Sequence, residues 1–322
     1  LRPATAWELA GMIATCRERR LPIDVSGAGS KRAIGRPMQT AVTVSTLSMR
    51  GIPLYEPSEL VMSARAGTSL SQVEAELASR NQMLAFEPID LGPATGGAAG
   101  QQTIGGVFAA NLSGARRIAA GAARDHLIGV KGVNGRAEEF KSGGRVVKNV
   151  TGYDVARGLT GSWGTLAVLT EVTFKVLPWP EDTATIVFLG LTDELATELM
   201  QTAVGTPFEV SGTVHLSAGL AGRLRHDGLK SLGTSLTALR IENFTPSVTY
   251  RRDSLREHLK VAGFVKAVDL DAHDSIAFWN ELRQLSVLPH GQKLLWRIST
   301  TPGKGPRIVA AVRRHMEAEA LY

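Results

Sequence analysis

Apolar residues recur at helical spacing over residues 5–20, with Trp7, Ala10, Ile13, Ala14 and Cys16 near one face, until Pro22 ends the pattern. A helix is predicted there, with a strand over 22–26 behind it. Apolar and β-branched runs predict further strands at 41–45, 59–66, 126–133 and 164–177, and a helix over 70–81 begun by Ser69 or Ser71. Pro178 and Pro180 around Trp179 break the pattern and place a domain boundary, giving domains over 1–178 and 179–322. Beyond it the chain alternates strand 184–190, helix 193–203, strands 208–216 and 234–242, and helix 247–262. A second round predicts strand 264–270, helix 274–285, strand 292–299 and helix 304–319, but Tyr322 follows with no closing strand. A helix with one apolar face needs a partner element. The natural chain is therefore expected to continue past Tyr322 and, lacking an initiator methionine, to begin before Leu1.

Composition narrows the class. With 43% hydrophobic and 20% charged residues over 322 positions, the chain is globular rather than disordered or repetitive. No run approaches the roughly 18 apolar residues of a membrane span, and the first thirty residues lack a secretory leader pattern, so a cytoplasmic location is expected. The single cysteine, Cys16, excludes an internal disulfide or a thiol pair, and its expected place is a buried helix face. Net charge is +6, but 36 basic residues face 30 acidic ones without any block of five cations. A mixed solvated surface follows, and no nucleic-acid partner is expected.

Glycine changes the picture. Of 34 glycines, 17 lie between Gly92 and Gly164, which marks backbone that turns sharply or approaches a ligand. Gly27-Ala28-Gly29 after a strand begins like a dinucleotide-binding fingerprint and then departs from it: Arg32 holds the third glycine position, Pro37 interrupts the following helix, and no acid stands about 20 residues on. Ser26, Gly27, Ala28, Gly29, Ser30 and Lys31 can still form a nest of N–H groups for phosphate with Lys31 as counter-charge, or else an ordinary glycine turn.

Thr103, Ile104, Gly105 and Gly106 read as a loop entering a short helix, where free N–H groups favour an anion and glycine lets a pyrophosphate touch the main chain; a plain connection is the alternative. Asn111, Leu112, Ser113 and Gly114 lead into Arg116, Arg117, Arg124 and Asp125. Between Gly114 and Val150 eight Lys/Arg face three acids, either a solvated face or the charge that offsets a diphosphate. Finally, Lys148 to Asp154 leads to a buried strand whose start is opened by Gly161 and Gly164, so that Val168 and Leu169 can offer main-chain groups to a flat base.

In this order the segments SGAGSK, ARAGTSLSQVEAEL, QQTIGGVFAANLSGARR, AARDHLIGV and RVVKNVTGYDVARGLTGSWGTLAVLTEVTFKVLP resemble the vanillyl-alcohol-oxidase (PCMH-type) FAD-binding superfamily over roughly residues 1–178. Within it, RVVKNVTGYD and GSWGTLAVLTEV are most similar to FAD-binding subunits of glycolate oxidases. The resemblance implies an α+β protein: a two-subdomain FAD-binding fold followed by an α+β cap domain, C-terminally incomplete here. It further implies that Ser26 to Lys31 cradle the pyrophosphate and that Thr103, Ile104, Gly105 and Gly106 line its path. Asn111, Ser113, Gly114, Arg124 and Asp125 would sit near the isoalloxazine or ribityl chain, and Val168 and Leu169 near adenine. Lys148, Tyr153 and Asp154 receive no role.

The implied activity is flavin redox chemistry within a multi-subunit 2-hydroxy-acid oxidoreductase, alongside a second flavoprotein and an iron-sulfur subunit that bring the complex to the inner membrane. The alternative is a scaffold subunit with an optional flavin. No histidine precedes His126 and Cys16 lies in the first helix, so non-covalent FAD is expected. The histidine-rich metal motif and the Asn-Pro-Gly-Arg-like tail of relatives have no counterpart. Histidines 126, 215, 226, 258, 273, 290 and 315 show no metal-ligand spacing, and Asp271, His273 and Asp274 read as helix capping, so no metal is expected. No nucleophile elbow occurs, and no catalytic residue is named.

Overall fold

The computed structural model describes residues 1–95, 98–144, 153–288 and 294–322. They divide into two compact units, Leu1–Gly114 with Gly121–Trp179, and Ala115–Ala120 with Pro180–Tyr322. In chain order the elements up to Trp179 are α1 (Ala6–Glu18), β1 (Ile23–Ser26), β2 (Val42–Ser45), β3 (Leu54–Glu56), β4 (Val61–Arg65), α2 (Leu70–Ala78), β5 (Gln82–Met83), α3 (Ile104–Ala109), α4 (Arg117–Ala120), α5 (Ala123–His126), β6 (Leu127–Asn134), β7 (Glu139–Gly143), α6 (Val155–Leu159), β8 (Ala167–Lys175) and β9 (Leu177–Pro178). Then come β10 (Asp182–Leu189), α7 (Asp193–Val204), β11 (Val210–Leu216), α8 (Ala218–Ala221), α9 (Asp227–Lys230), β12 (Leu236–Asn243), α10 (Thr245–Val261), β13 (Ala267–Leu270), α11 (Ala272–Arg283) and α12 (Gly305–Arg313).

In the first unit β1 and β2 pair in parallel, and a separate five-stranded antiparallel sheet runs β3-β4-β8-β6-β7. Helix α1 starts at Thr5, whose hydroxyl accepts the Glu8 N–H, and buries Leu9, Ile13 and Cys16. The expectation for Trp7 is corrected: it is 78% exposed, because the buried stripe follows positions 9, 13 and 16 and Trp7 lies off it. Ser69, not Ser71, caps α2, which buries Leu70, Val73 and Leu77. Strand β8 begins at Ala167 rather than 164, since Trp163 (φ 56°) and Gly164 (φ 77°) occupy left-handed conformations that no strand admits. Central in its sheet, it carries the core between its neighbours, with Phe86, Phe108 and Phe174 in tilted ring contact at 5.5 and 5.3 Å.

In the second unit β10-α7-β11-β12-α10-β13 forms one antiparallel sheet in the order β11-β12-β10-β13, a split β-α-β arrangement. The two-residue period of the strands sorts their side chains. Ile186 and Phe188 of β10, with Leu239 and Ile241 of β12, pack with Leu199 of α7 and Leu255 of α10; Val187, Leu236 and Ala238 face Phe278 and Trp279 of α11.

Two expectations fail here. Residues 294–299 form no strand, because no strand of the sheet pairs with them, and Leu294 and Trp296 stand 85% and 77% exposed. The last helix stops at Arg313 instead of 319: the chain turns back so that the Arg313 side chain bonds Ala318 O and Leu321 bridges Leu216. Among the described residues no helix is long and apolar enough to cross a membrane.

Candidate cofactor site

The end of β1 and the start of α3 meet through an atom glycine lacks. A Cβ on Gly27 would lie 2.2 Å from Thr103 Oγ1. Thr103 needs that place because its hydroxyl caps α3, accepting the Gly106 N–H at 3.2 Å. Gly105 is glycine for a second packing reason: its Cβ would come within 2.7 Å of Ala66 Cβ and 2.8 Å of Ala66 O.

The anion-ready helix start expected from the sequence is corrected. Ile104 N–H donates to Thr68 O (2.9 Å), Gly105 N–H to Ala66 O (3.0 Å) and Gly106 N–H to the cap, so these donors are already occupied. Seating α3 against the Ala66–Thr68 segment after β4 consumes them.

The cation of the site is Lys31. Its ammonium stands 3.3 Å from Ser30 Oγ and 3.4 Å from Gln102 Oε1, both neutral acceptors. Burial pulls its pKa from 10.5 down to about 8, against the opposing field of the Asp90 carboxylate. Gln102 is fully buried and oriented by donating from Nε2 to Ile89 O at 2.8 Å. Asp90, also buried, accepts the Gly92 and Gly100 N–H groups at 2.9 and 2.5 Å and so shapes the glycine-rich stretch. Thr95 Oγ1 donates to Ser30 O at 2.8 Å, tying that stretch to the β1 loop. Sequence reasoning missed Gln102, Asp90 and Thr95. Gln102 stands immediately before Thr103 and Asp90 accepts from Gly92 two residues on, both local signals, whereas Thr95 reaches Ser30 across 65 positions.

A second group of expected residues converges around Asn111, which has φ 50°. Asn111 Oδ1 accepts the Arg124 N–H (3.1 Å), Ser113 Oγ the Ala123 N–H (3.0 Å), and Asp125 Oδ2 the Ala122 N–H (2.9 Å). The loop Gly161–Gly164 binds both groups. Gly161 and Trp163 donate to Phe108 O and Ala109 O at 3.2 and 2.9 Å, a Cβ on Gly161 would touch Asn111 Cβ at 3.5 Å, and one on Gly164 would meet Val25 Cβ at 3.4 Å.

Other expected residues take structural places. The Cβ position of Gly114 lies 2.3 Å from Glu87 O, a packing requirement. Val168 and Leu169 pair with Val133 and Gly132 of β6, and both lie beyond the last β4 pair, Arg65 with Glu171. The cation cluster does not act as one patch, because Arg116 is bound to Glu242 and Lys131 to Glu171. Asp154 caps α6 by accepting the Arg157 N–H, Tyr153 is 92% exposed, and Lys148 lies outside the described residues. In the second unit Asp271 caps α11 by accepting the Asp274 N–H at 2.9 Å, the capping role expected of it.

A buried ammonium among neutral acceptors, beside a glycine loop in contact with a second loop, is chemistry for a phosphate or diphosphate. Comparison with known proteins gives the same class. Residues 1–143 match the family described as FAD binding domain. Glycolate oxidase subunit GlcE of Escherichia coli (strain K12) is 42% identical over 161 residues, which are 50% of this chain and 44% of that protein. Among solved structures, an alkyldihydroxyacetonephosphate synthase superposes with a TM-score of 0.68 at 17% identity, covering 89% of this chain and 54% of the other. A p-cresol methylhydroxylase follows with a TM-score of 0.64 at 13% identity, covering 85% and 58%. The chain spans 44% of the curated relative and 54% and 58% of the two solved chains. Residues 1–143 thus match the FAD binding domain family, and the chain has a fold of the PCMH type.

Proposed function

We propose that the chain is the FAD-binding subunit of a glycolate oxidase-like 2-hydroxy-acid oxidoreductase. Residues 1–178 serve as the FAD-binding domain and 179–322 as the cap. The observation that carries the reading is the Lys31 ammonium, buried between the Ser26–Lys31 loop and Gln102 with no carboxylate within bonding distance among the described residues. Such a cation is stabilised by a diphosphate as by no neutral ligand. The residues present fit FAD: Gly27 leaves no Cβ between the two loops, and Lys31 supplies the counter-charge.

When bound, FAD supplies the two-electron redox chemistry. Ser26, Ala28, Gly29, Ser30 and Lys31 hold its pyrophosphate, while Thr103 and Gly106 keep the facing loop in register. Asn111, Ser113, Arg124 and Asp125 form the second contact group, and Val168 and Leu169 the adenine side. The relative named as a subunit supports a partner of the same complex, and a small 2-hydroxy acid is the substrate class of the assembly. A second flavoprotein, an iron-sulfur subunit and attachment to the inner membrane through them complete the proposal.

The test is the absorbance spectrum of the purified protein before and after incubation with FAD. A flavin band retained through gel filtration is the expected result. Protein that stays colourless after incubation refutes the reading.

A further inference from the structure

Gln102 stands just before α3 with its side chain fully buried. A buried amide is costly unless both of its ends are satisfied. Here both are: Nε2 donates to Ile89 O at 2.8 Å, and Oε1 accepts from the Lys31 ammonium at 3.4 Å. The partners fix which end is which, since a carbonyl only accepts and an ammonium only donates. The main chain is pinned as well. Gln102 O accepts the Leu70 N–H at 2.8 Å, and a bridge joins the next residue, Thr103, to Ser69. Gln102 Oε1 is therefore a fixed point within the first unit, against which a longer and looser side chain is placed.

Lys31 needs such a point. Its ammonium sits on a flexible four-carbon stem and carries three donors. Among the described residues it finds two acceptors, Gln102 Oε1 and Ser30 Oγ. The Cβ position of Gly106 lies 3.5 Å from Nζ, so the ammonium rests against the first turn of α3. The charged side chains around it are engaged elsewhere. Asp90, whose field supports the charged lysine, gives its two oxygens to the Gly92 and Gly100 N–H groups, and Arg32 pairs with Asp24 at 2.7 Å. The chemical type of the acceptor at position 102 then decides what the lysine can do. A carboxylate there would pair with Lys31 and spend its charge inside the protein, whereas an apolar side chain would leave the ammonium unheld. A neutral amide holds the cation and leaves its charge, with one donor, for an anion.

We propose that Gln102 is a positioning residue: as a neutral, rigidly held acceptor it keeps the Lys31 ammonium where it meets the FAD diphosphate, without neutralising it. The inference rests on the proposed FAD site and extends it to a residue that acts through Lys31.

The test uses the full chain in two measurements. One is titration with FAD followed by flavin fluorescence. The other, without FAD, follows the Lys31 side chain against pH by carbon-13 NMR of lysine-labelled protein, its signal identified by its loss in Lys31→Met. Gln102→Met keeps the bulk and removes the acceptor, and Gln102→Glu keeps an acceptor and adds charge. Both are expected to weaken FAD binding at neutral pH by about tenfold or more. The Lys31 midpoint should move down from about 8 in Gln102→Met, which loses an acceptor of the charged form, and up in Gln102→Glu, which gains a counter-charge. The alkaline fall in FAD affinity should follow the midpoint in each variant. In a Lys31→Met background, Gln102→Met should cost no more than about twofold in affinity, because the residue acts only through the lysine. An equal loss with and without Lys31, at an unmoved Lys31 midpoint, would overturn the inference and leave Gln102 a support for Ile89. If one variant does not fold, the other decides by the same criteria. If neither folds, the Gln102 side-chain amide signal of the unaltered protein decides: it should shift with the Lys31 midpoint, and a signal that stays still across that titration overturns the inference. If the unaltered chain takes up no FAD, the FAD reading fails by itself, and the Lys31 midpoints still decide whether Gln102 governs the ammonium.

Discussion

Replacing Gly27 by alanine probes the join between β1 and α3 with a single methyl group. The new Cβ would stand 2.2 Å from Thr103 Oγ1 and 3.1 Å from its Cγ2, so the threonine must leave its rotamer and release the Gly106 N–H. Overpacking costs about 1–3 kcal/mol and a lost cap about 1 kcal/mol, so Gly27→Ala should destabilise the first unit by about 2–4 kcal/mol. Thr103→Ala alone loses only the cap, about 1 kcal/mol. In the double variant the nearest remaining atom is the Cβ of position 103 at 3.2 Å, which a shift of a few tenths of an ångström relieves. The pair should therefore cost about 1–2 kcal/mol, less than the sum of the singles by at least about 1 kcal/mol. Urea unfolding of the four proteins, followed by tryptophan fluorescence, measures the cycle. Additivity within about 0.5 kcal/mol would refute the claim that glycine is required here by the Thr103 hydroxyl.

Lys31 sets a pH dependence. Its pKa falls from 10.5 in the free chain to about 8 in the folded one, so between those values the unfolded chain binds more protons and stability of the FAD-free protein should rise with pH. Below about pH 8 both states are protonated and the full penalty stands, and Lys31→Met should flatten the profile in thermal unfolding from pH 7 to 10.5. FAD affinity should fall above pH 8 in the unaltered protein and not in Lys31→Met, as read by titration. Asp271→Ala should cost about 1 kcal/mol through loss of the α11 cap, and added zinc should leave the melting temperature of the unaltered protein unchanged. Phe108→Ala, which empties the middle of the Phe86–Phe108–Phe174 contact, should cost about 3–5 kcal/mol, measured by chemical denaturation.

The features legible in the sequence are those that arise within a few residues. Ser69, one of two candidates, caps α2 because its hydroxyl reaches an N–H three residues on. The apolar run over 184–190 marked β10 as a strand, while the two layers that its opposite faces meet emerged only in the fold. The clustering of glycines marked the segments that approach one another, and the lone Cys16 pointed to a buried helix face.

Which partner each segment meets was not legible. Arg116 read as one more cation for a diphosphate, yet it binds Glu242, 126 positions away. The α3 donors read as free, yet Thr68 and Ala66 accept from them, and Trp7, apolar on a helix, faces solvent. Residues 294–299 had the composition of a strand and found no ladder. Periodicity and capping are properties of neighbouring residues and survive in any context, whereas the occupancy of a donor, the partner of a charge and the pairing of a strand depend on chain closure over tens to hundreds of residues, which only the folded structure decides.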